Sequence, residues 1–323
     1  MMNRIFLTLP ILATTFLCFN SYADNTFYGK ANLTLNDFKQ QSSGAGVDEW
    51  QLNSNASRLG VRGTHAISDG FEAIYQLEYE VQIDDGKSVA SKGKDTLEQR
   101  NSYLGLRGGF GEIIAGKHDT PMKLTTNRLD RFNDQVLGDI KNYMEGEDRL
   151  SNVVMYTSPT LKGFFARAAF IPAEDSAGSS GDGGLADGTS YSLNYSSQLL
   201  SAAIIRNTDV DSQDTTRAVA DFTLGKTKLG GLWQEADKTD GSASEDSWFI
   251  SATHDLSTNW RLKSQYGNTD YGNGRKDTQS AIGVDRILNS DTIIFVNYIQ
   301  IERDSPQLSD KDSSFAVGLE LSF

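Results

Sequence analysis

The sequence predicts an all-β protein, a 16-stranded antiparallel transmembrane β-barrel with short periplasmic turns and long extracellular loops. Three observations lead there. Apolar residues recur at every second position and rarely at helical spacing. The connections between such segments alternate in length. Thirty glycines stand against five prolines, and all four prolines beyond the N-terminal segment fall in connections. A proline inside a paired strand would remove a ladder hydrogen bond that hydrocarbon cannot replace.

The two ends of the chain are treated differently. Residues 1–23 read as a secretory signal, with Arg4 as the positive end, Ile5 to Phe19 as the apolar stretch and Ser21-Tyr22-Ala23 as the small-residue cleavage site. Cutting after Ala23 leaves 300 of the 323 residues, and residues 24–323 form the barrel domain. The cut removes Arg4 and takes the formal charge from -13 to -14. It also removes Cys18, the only cysteine, so disulfides do not hold the exported protein together. No apolar stretch is long enough to cross a bilayer as a helix. Acidic excess excludes nucleic acid as a partner, because phosphate binding needs clustered Lys and Arg.

The clearest strand runs from Phe71 to Ile83. Phe71, Ala73, Tyr75, Leu77, Tyr79, Val81 and Ile83 share one face, and Glu72, Ile74, Gln76, Glu78, Glu80 and Gln82 fall on the other. One greasy and one wet side over this length suits a tilted strand crossing a membrane, which takes about 9–11 residues. The C-terminus repeats the pattern, with Phe315, Val317, Leu319, Leu321 and Phe323 on one face. Tyr191 to Ser196, Trp260 to Tyr266 and Phe27 to Leu35 alternate in the same way. Three segments, 201–208, 228–236 and 292–302, do not declare a lipid face, and expectation places their second apolar side against a partner subunit or beneath a loop.

Seven short turns (66–70, 108–111, 158–163, 197–199, 225–227, 257–259 and 289–291) alternate with eight longer polar stretches (37–52, 84–95, 118–148, 172–188, 209–215, 237–246, 268–276 and 303–312). Fifteen connections join sixteen strands, at about 19 residues per strand and connection, a spacing that suits bacterial barrels.

Several pieces, in this order and spacing, resemble Gram-negative general diffusion porins, the trimeric porins of the outer membrane. They are Asn25-Thr26-Phe27-Tyr28-Gly29-Lys30, Ser57-Arg58-Leu59-Gly60-Val61-Arg62-Gly63, Arg100-Asn101-Ser102-Tyr103-Leu104-Gly105-Leu106, Gly109-Phe110-Gly111, Gly116-Lys117-His118-Asp119-Thr120-Pro121 and the terminal Phe323. The resemblance implies a homotrimer with a water-filled pore in each subunit, set among outer-membrane lipid and lipopolysaccharide. It implies a third loop folded inward, and a terminal aromatic, Phe323, read as a signal by the outer-membrane assembly machinery. It implies passive diffusion of small hydrophilic solutes and ions, without cofactor or metal. A substrate-specific channel for a sugar or anion is the alternative, with Tyr28, Tyr103 and Tyr143 as candidates to line it.

Within that frame the longest connection, His118 to Asp148, is the inward loop. Lys123 to Phe132 is expected to form a short helical turn, and Phe132, Val136, Leu137 and Ile140 to hold the loop to the wall. Asp130, Asp134 and Asp139 are the acids expected to face the pore. Opposite them, the resemblance assigns Arg58 and Arg100 to a basic wall, and face parity adds Lys30 and Arg62. Arg100 conflicts with parity, since its face would also carry Ser102, Leu104 and Leu106. Arg149 and Arg167 are further candidates. Acid on the loop and base on the wall would set a transverse field that selects by size, polarity and charge. The acidic balance, with Glu72, Glu78 and Glu80 on a wet face, implies a mild cation preference. Acids such as Asp209, Asp211, Asp214, Asp237 and Asp240 read as solvated loop tips, with bridging to lipopolysaccharide through divalent cations as the alternative.

An enzyme is not expected. His65 and His254 lie at turn ends and His118 opens the third loop, no serine sits in a nucleophile elbow, and the glycines around 105–111 do not spell a dinucleotide motif. The glycine-rich 178–188, with Asp182 and Asp187, has no repeat and reads as a loop.

Overall fold

The computed structural model describes residues 24–41, 46–85, 95–172, 184–242, 244–307 and 309–323. The proposed signal segment, residues 1–23, and the stretch containing Asp182 lie outside them. Eighteen ladder segments form one sheet: β1 (Asp24–Gln41), β2 (Val47–Ser54), β3 (Arg58–Ser68), β4 (Phe71–Val81), β5 (Leu97–Gln99), β6 (Ser102–Gly108), β7 (Gly111–Asp119), β8 (Arg149–Thr157), β9 (Phe164–Ile171), β10 (Gly188–Ser196), β11 (Leu200–Val210), β12 (Gln213–Leu224), β13 (Thr227–Lys238), β14 (Ser244–Ser257), β15 (Trp260–Asp270), β16 (Lys276–Ile287), β17 (Thr292–Asp304) and β18 (Ser309–Ser322). β2 and β3 both pair with β1, and β5 and β6 both pair with β4, so each couple is one interrupted strand. The barrel therefore has sixteen antiparallel strands.

The ring closes where β1 meets β18, in register from Lys30 opposite Ser322 to Gln41 opposite Lys311. Phe323 finishes the seam. Its N–H donates to Gly29 O at 3.0 Å, and its own carbonyl accepts from Gly29 N at 2.8 Å. Gly29 is required there, because a Cβ would lie 2.5 Å from the Phe323 ring.

The two faces separate as the alternation predicts. Leu77, Tyr79, Leu193, Leu319 and Leu321 are exposed on the outside, whereas Glu78, Gln82, Asn194 and Ser314 are buried toward the interior. β4 ends at Val81, two residues short of the expected segment. The three undeclared segments carry apolar residues on both faces. In β17, Ile294, Val296 and Tyr298 point out, while Phe295, Ile299 and Ile301 are buried inside. In β13, Leu229 and Trp233 point out and Leu232 points in. Leu232 and Ile299 pack against residues of the third loop, which explains the double apolarity.

All seven short turns lie between strands at the expected places. The outer connections are shorter than expected, because the strands continue into seven of the eight polar stretches. Asp209, Asp214 and Asp237 belong to strands, and β11 passes to β12 through the two-residue turn Asp211–Ser212. Both turn residues have positive φ, 51° and 60°, as tight hairpin turns need. Polar sequence marked these strands as loops because their ends need not be greasy.

Two irregularities shape the interior. At Asn55–Ser57 the strand breaks, with Ala56 at φ 47°. The break is knitted by Asn55 Nδ2 donating to Asn32 Oδ1 (3.1 Å) and Thr34 Oγ1 (3.0 Å), and by Asn32 N donating to Ser57 Oγ (2.9 Å). At Arg100–Asn101 a second break shifts the face parity. Arg100 and Tyr103 therefore both point inward, and Leu104 and Leu106 outward, which removes the conflict over Arg100.

Placing a charge on the outer face has a defined cost. Leu77→Arg should lower the stability of the barrel in lipid by about 2–4 kcal/mol, and Gln76→Arg, one residue away and inward, by much less. Urea titration of refolding into vesicles measures both; equal losses would contradict the assignment of faces.

Candidate functional site: the lumen crossed by the third loop

The third loop spans 120–148 and folds into the barrel. Thr120 caps its helix α1 (Pro121–Thr126), accepting from Lys123 N at 3.3 Å, and Pro121 occupies the first turn, where no N–H is needed. The helix begins earlier than the expected Lys123 and stops at Thr126. A 3-10 turn follows at Ile140–Asn142, capped by Asp139.

A loop buried in a barrel must find partners for its backbone. The wall of β12 to β17 supplies them. Gln265 Nε2 donates to Gly138 O (2.7 Å), Gln279 Nε2 to Leu137 O (2.6 Å), and Gln234 Nε2 to Glu145 O (3.1 Å). The strongest attachment is Arg217, wholly buried. It donates through Nη1 to Glu147 Oε1 (2.5 Å) and Thr126 Oγ1 (2.7 Å), through Nη2 to Glu145 O (2.6 Å), and through Nε to Gln234 Oε1 (2.7 Å).

Apolar seating accompanies the hydrogen bonds. Phe132 and Ile140 anchor the loop as expected, joined by Met122, Leu129 and Met144, which the sequence did not mark as anchors, and by Tyr143, expected instead to line the passage. Wall glycines make room for three of them. A Cβ at Gly230 would lie 2.6 Å from Leu129, at Gly267 3.0 Å from the Tyr143 ring, and at Gly283 3.0 Å from Phe132. Lys263 closes the Phe132 seat, 4.8 Å above the ring centre and 3.0 Å from Asp285.

The opposite side of the loop faces β1 and β3. Lys30 Nζ lies 3.0 Å from Asp134 Oδ2, and Arg58 Nη1 lies 3.9 Å from the same oxygen. Lys30 also approaches Glu320 at 3.7 Å. Arg100 takes a different course. It pairs with Glu78 (2.9 Å) and Glu80 (2.7 Å) of its own wall. Arg62 points inward but stacks 5.1 Å over Tyr28, whose hydroxyl donates to Glu78 Oε2 at 2.9 Å.

The three loop acids part company. Asp134 alone meets the basic wall. Asp130 turns into the loop, accepting from Phe132 N (3.1 Å) and Ile140 N (2.9 Å). Asp139 borders the lumen but accepts from Lys141 N (3.0 Å) and pairs with Lys141 Nζ (3.1 Å). Their acidities diverge accordingly. Burial, reinforced by Asp139, pushes the Asp130 carboxyl far up, against the pull of its two N–H donors. Burial also pushes on Asp134, but Lys30, Arg58 and Arg100 outweigh it and hold that carboxyl below the usual range. Asp148, buried and near Asp211 and Glu147, rises to about 6.

Between loop and wall lies a cavity of about 640 Å³. Among the described residues, Arg58, Arg100, Lys123, Lys141 and Arg149 line it with Glu78, Glu80, Glu98, Asp119, Asp134, Asp139 and Glu147. Arg149 Nε is 2.9 Å from Asp119, and Lys123 Nζ is 3.6 Å away. Among the described residues, no aromatic or large apolar side chain lines this space. Of the tyrosines considered as pore-lining, Tyr143 is buried under the loop, Tyr28 is tied to Glu78, and Tyr103 packs against His118.

A family model for Gram-negative porins matches residues 11–306. The chain belongs to the Gram-negative porin family. That membership places it in the bacterial outer membrane. It is similar to the major outer membrane protein P.IB of Neisseria gonorrhoeae, 30% identical over 185 residues, 54% of this chain and 48% of that protein. It is also similar to the major outer membrane protein P.IA of Neisseria meningitidis serogroup C, 27% identical over 128 residues, 39% of this chain and 31% of that one. The chain spans about half the length, or less, of these curated relatives. Among solved structures, an anion-selective porin from Comamonas acidovorans matches with a TM-score of 0.74 at 20% identity, covering 94% of this chain and all of that one. The trimer form of OmpT from Vibrio cholerae matches with a TM-score of 0.66 at 14% identity, covering 93% and 99%. These structures share the fold.

Two outcomes are expected for this porin's loop. Arg217→Met leaves Glu147 buried without its guanidinium and should weaken loop docking by about 3–5 kcal/mol, read as lost amide-exchange protection over residues 121–148. Asp130 gives a pH dependence. Its acidity is lowered in the docked loop, so docking is firmest below the ordinary carboxylate range and weakens as pH rises through the raised pKa. Protection factors for residues 130–140, corrected for intrinsic exchange, should fall with rising pH in the native chain and fall less in Asp130→Asn.

Proposed function

We propose that this porin is a passive channel for small hydrophilic solutes and ions, working as a homotrimer with one pore per subunit. The cavity carries the reading. It lies inside a closed barrel and is lined by charged groups of both signs from loop and wall, without an apolar floor. A polar solute crossing it exchanges lost water for side-chain partners, whereas an apolar solute disturbs ordered water without return. The narrowing between Asp134 and the Lys30–Arg58 pair supplies the transverse field.

Acids outnumber bases around the cavity, which supports a mild cation preference here, whereas the similar Comamonas porin is described as anion-selective. The trimer form known for the similar OmpT supports the assembly. The absence of aromatics among the described lining residues favours general diffusion over a sugar-specific passage. Export with removal of residues 1–23 belongs to the same reading, as does recognition of Phe323, whose ring is exposed at the seam, by the assembly machinery.

Planar-bilayer recordings test the channel: stepwise openings in threes, with current proportional to salt, are expected. Absence of current from folded protein would end the reading. Asp134→Asn frees Lys30 and Arg58 and should shift the reversal potential toward anions. Asp130→Asn, whose carboxyl is turned away from the wall, should move it little. An unchanged potential in Asp134→Asn would remove that carboxylate from the conducting path.

A further inference from the structure

A second cavity lies behind the loop, between α1 and the wall of β9 to β12. Its volume is about 120 Å³, close to the ~150 Å³ of an apolar cavity that takes one benzene. Leu124, Leu129, Phe165, Ala203 and Val219 give it apolar walls. Ser196 and Ser201 keep one side small and polar.

Two guanidiniums border this space, Arg128 from the loop and Arg167 from β9. Neither has a carboxylate within 4 Å among the described residues. Arg128 Nη1 donates to Ser201 Oγ at 2.8 Å, which leaves its remaining N–H groups free. Arg167 stacks 4.8 Å from the Phe165 ring centre. The one lining acid, Asp221, is held by Arg131 Nη2 at 2.6 Å and does not neutralise them. The surplus stands out in a chain of net charge -13, where lumen cations such as Lys30, Arg100 and Arg149 sit beside acids.

We propose that this cavity is a binding site for a small aromatic carboxylate. The carboxylate would lie between Arg128 and Arg167, where planar guanidiniums match its two oxygens. The ring would replace water against Leu124, Leu129, Phe165 and Val219. Neither half suffices. A bare anion leaves the apolar walls unfilled, a neutral ring leaves two cations unpaired, and a cation meets like charge. Arg128 and Ser201 also border a hollow of about 380 Å³ that includes Gln198 and Lys228, beside the short turns. That hollow is the route of entry, so the site belongs to the short-turn end of the lumen and is distinct from the Asp134 narrowing.

Equilibrium dialysis of radiolabelled benzoate against the folded chain in detergent tests the site. It needs no ion flow, so its result stands apart from that of the channel recordings. Saturable retention of benzoate is expected, with acetate and benzamide at least tenfold weaker. Arg128→Gln and Arg167→Gln should each weaken benzoate several-fold, and the double variant more than tenfold. Heat-modifiable electrophoretic mobility confirms that each variant keeps its barrel. Benzoate held equally by the double variant, benzamide held as well as benzoate, or no retention by the native chain would each overturn the proposal.

Discussion

Hydrocarbon offers no partner for a backbone N–H or C=O, and every other feature follows from that. A sheet in such a solvent cannot keep an edge. This chain meets the requirement by bringing β18 back to β1, and by carrying the ladder to its last residue through the exchange between Gly29 and Phe323. Closure then fixes the chemistry of the two faces. Large apolar groups such as Leu77, Leu193 and Leu319 are exposed, while Arg217, Gln234, Gln279 and Asp277 are buried. The distribution inverts that of a soluble protein, where exposed apolar patches are small and buried charge is rare.

A polar interior is also what permits a loop inside it. The third loop carries carbonyls that a greasy core would strand. Here Gln265, Gln279, Gln234 and Arg217 come from strands whose inner faces are polar because the lumen is wet, and they satisfy those carbonyls. The same wall supplies glycines at 230, 267 and 283, where loop side chains enter. Position is therefore fixed twice, by hydrogen bonds of defined direction and by seats of defined size.

Much of this was legible in the sequence. Period-two alternation gave the lipid face, the short–long rhythm gave the strand count, and proline placement agreed with the connections. What stayed hidden depended on contacts between distant residues. Face parity could not place Arg100, because a break of the ladder resets the count. The inner apolar residues of β13 and β17 left two readings open, a partner subunit or a covering loop, and only the folded chain shows the third loop lying over them. Arg217 had no signal beyond an inward arginine on a strand, and its role comes from Glu147, seventy residues away. The three loop aspartates look alike on the page, yet their environments separate them. Asp134 meets two cations, and Asp130 meets backbone N–H groups and the acids Asp139 and Glu147.

That separation bears on how the field in the lumen is held. Arg100 is bound to Glu78 and Glu80 within one wall, so its charge stays balanced wherever the loop lies. Lys30 and Arg58 meet Asp134 on the loop, and although Lys30 also has Glu320 of its own wall at 3.7 Å, the pairing with Asp134 exists only while the loop is docked. A small withdrawal of the loop would widen the passage and at once part both wall cations from the loop acid, leaving Lys30 with Glu320. Under the proposed function, size and charge selection would thus not be independent in this barrel. Both rest on the attachment at the loop's back, where Arg217, Gln265 and Gln279 hold the backbone while the front faces the solute path.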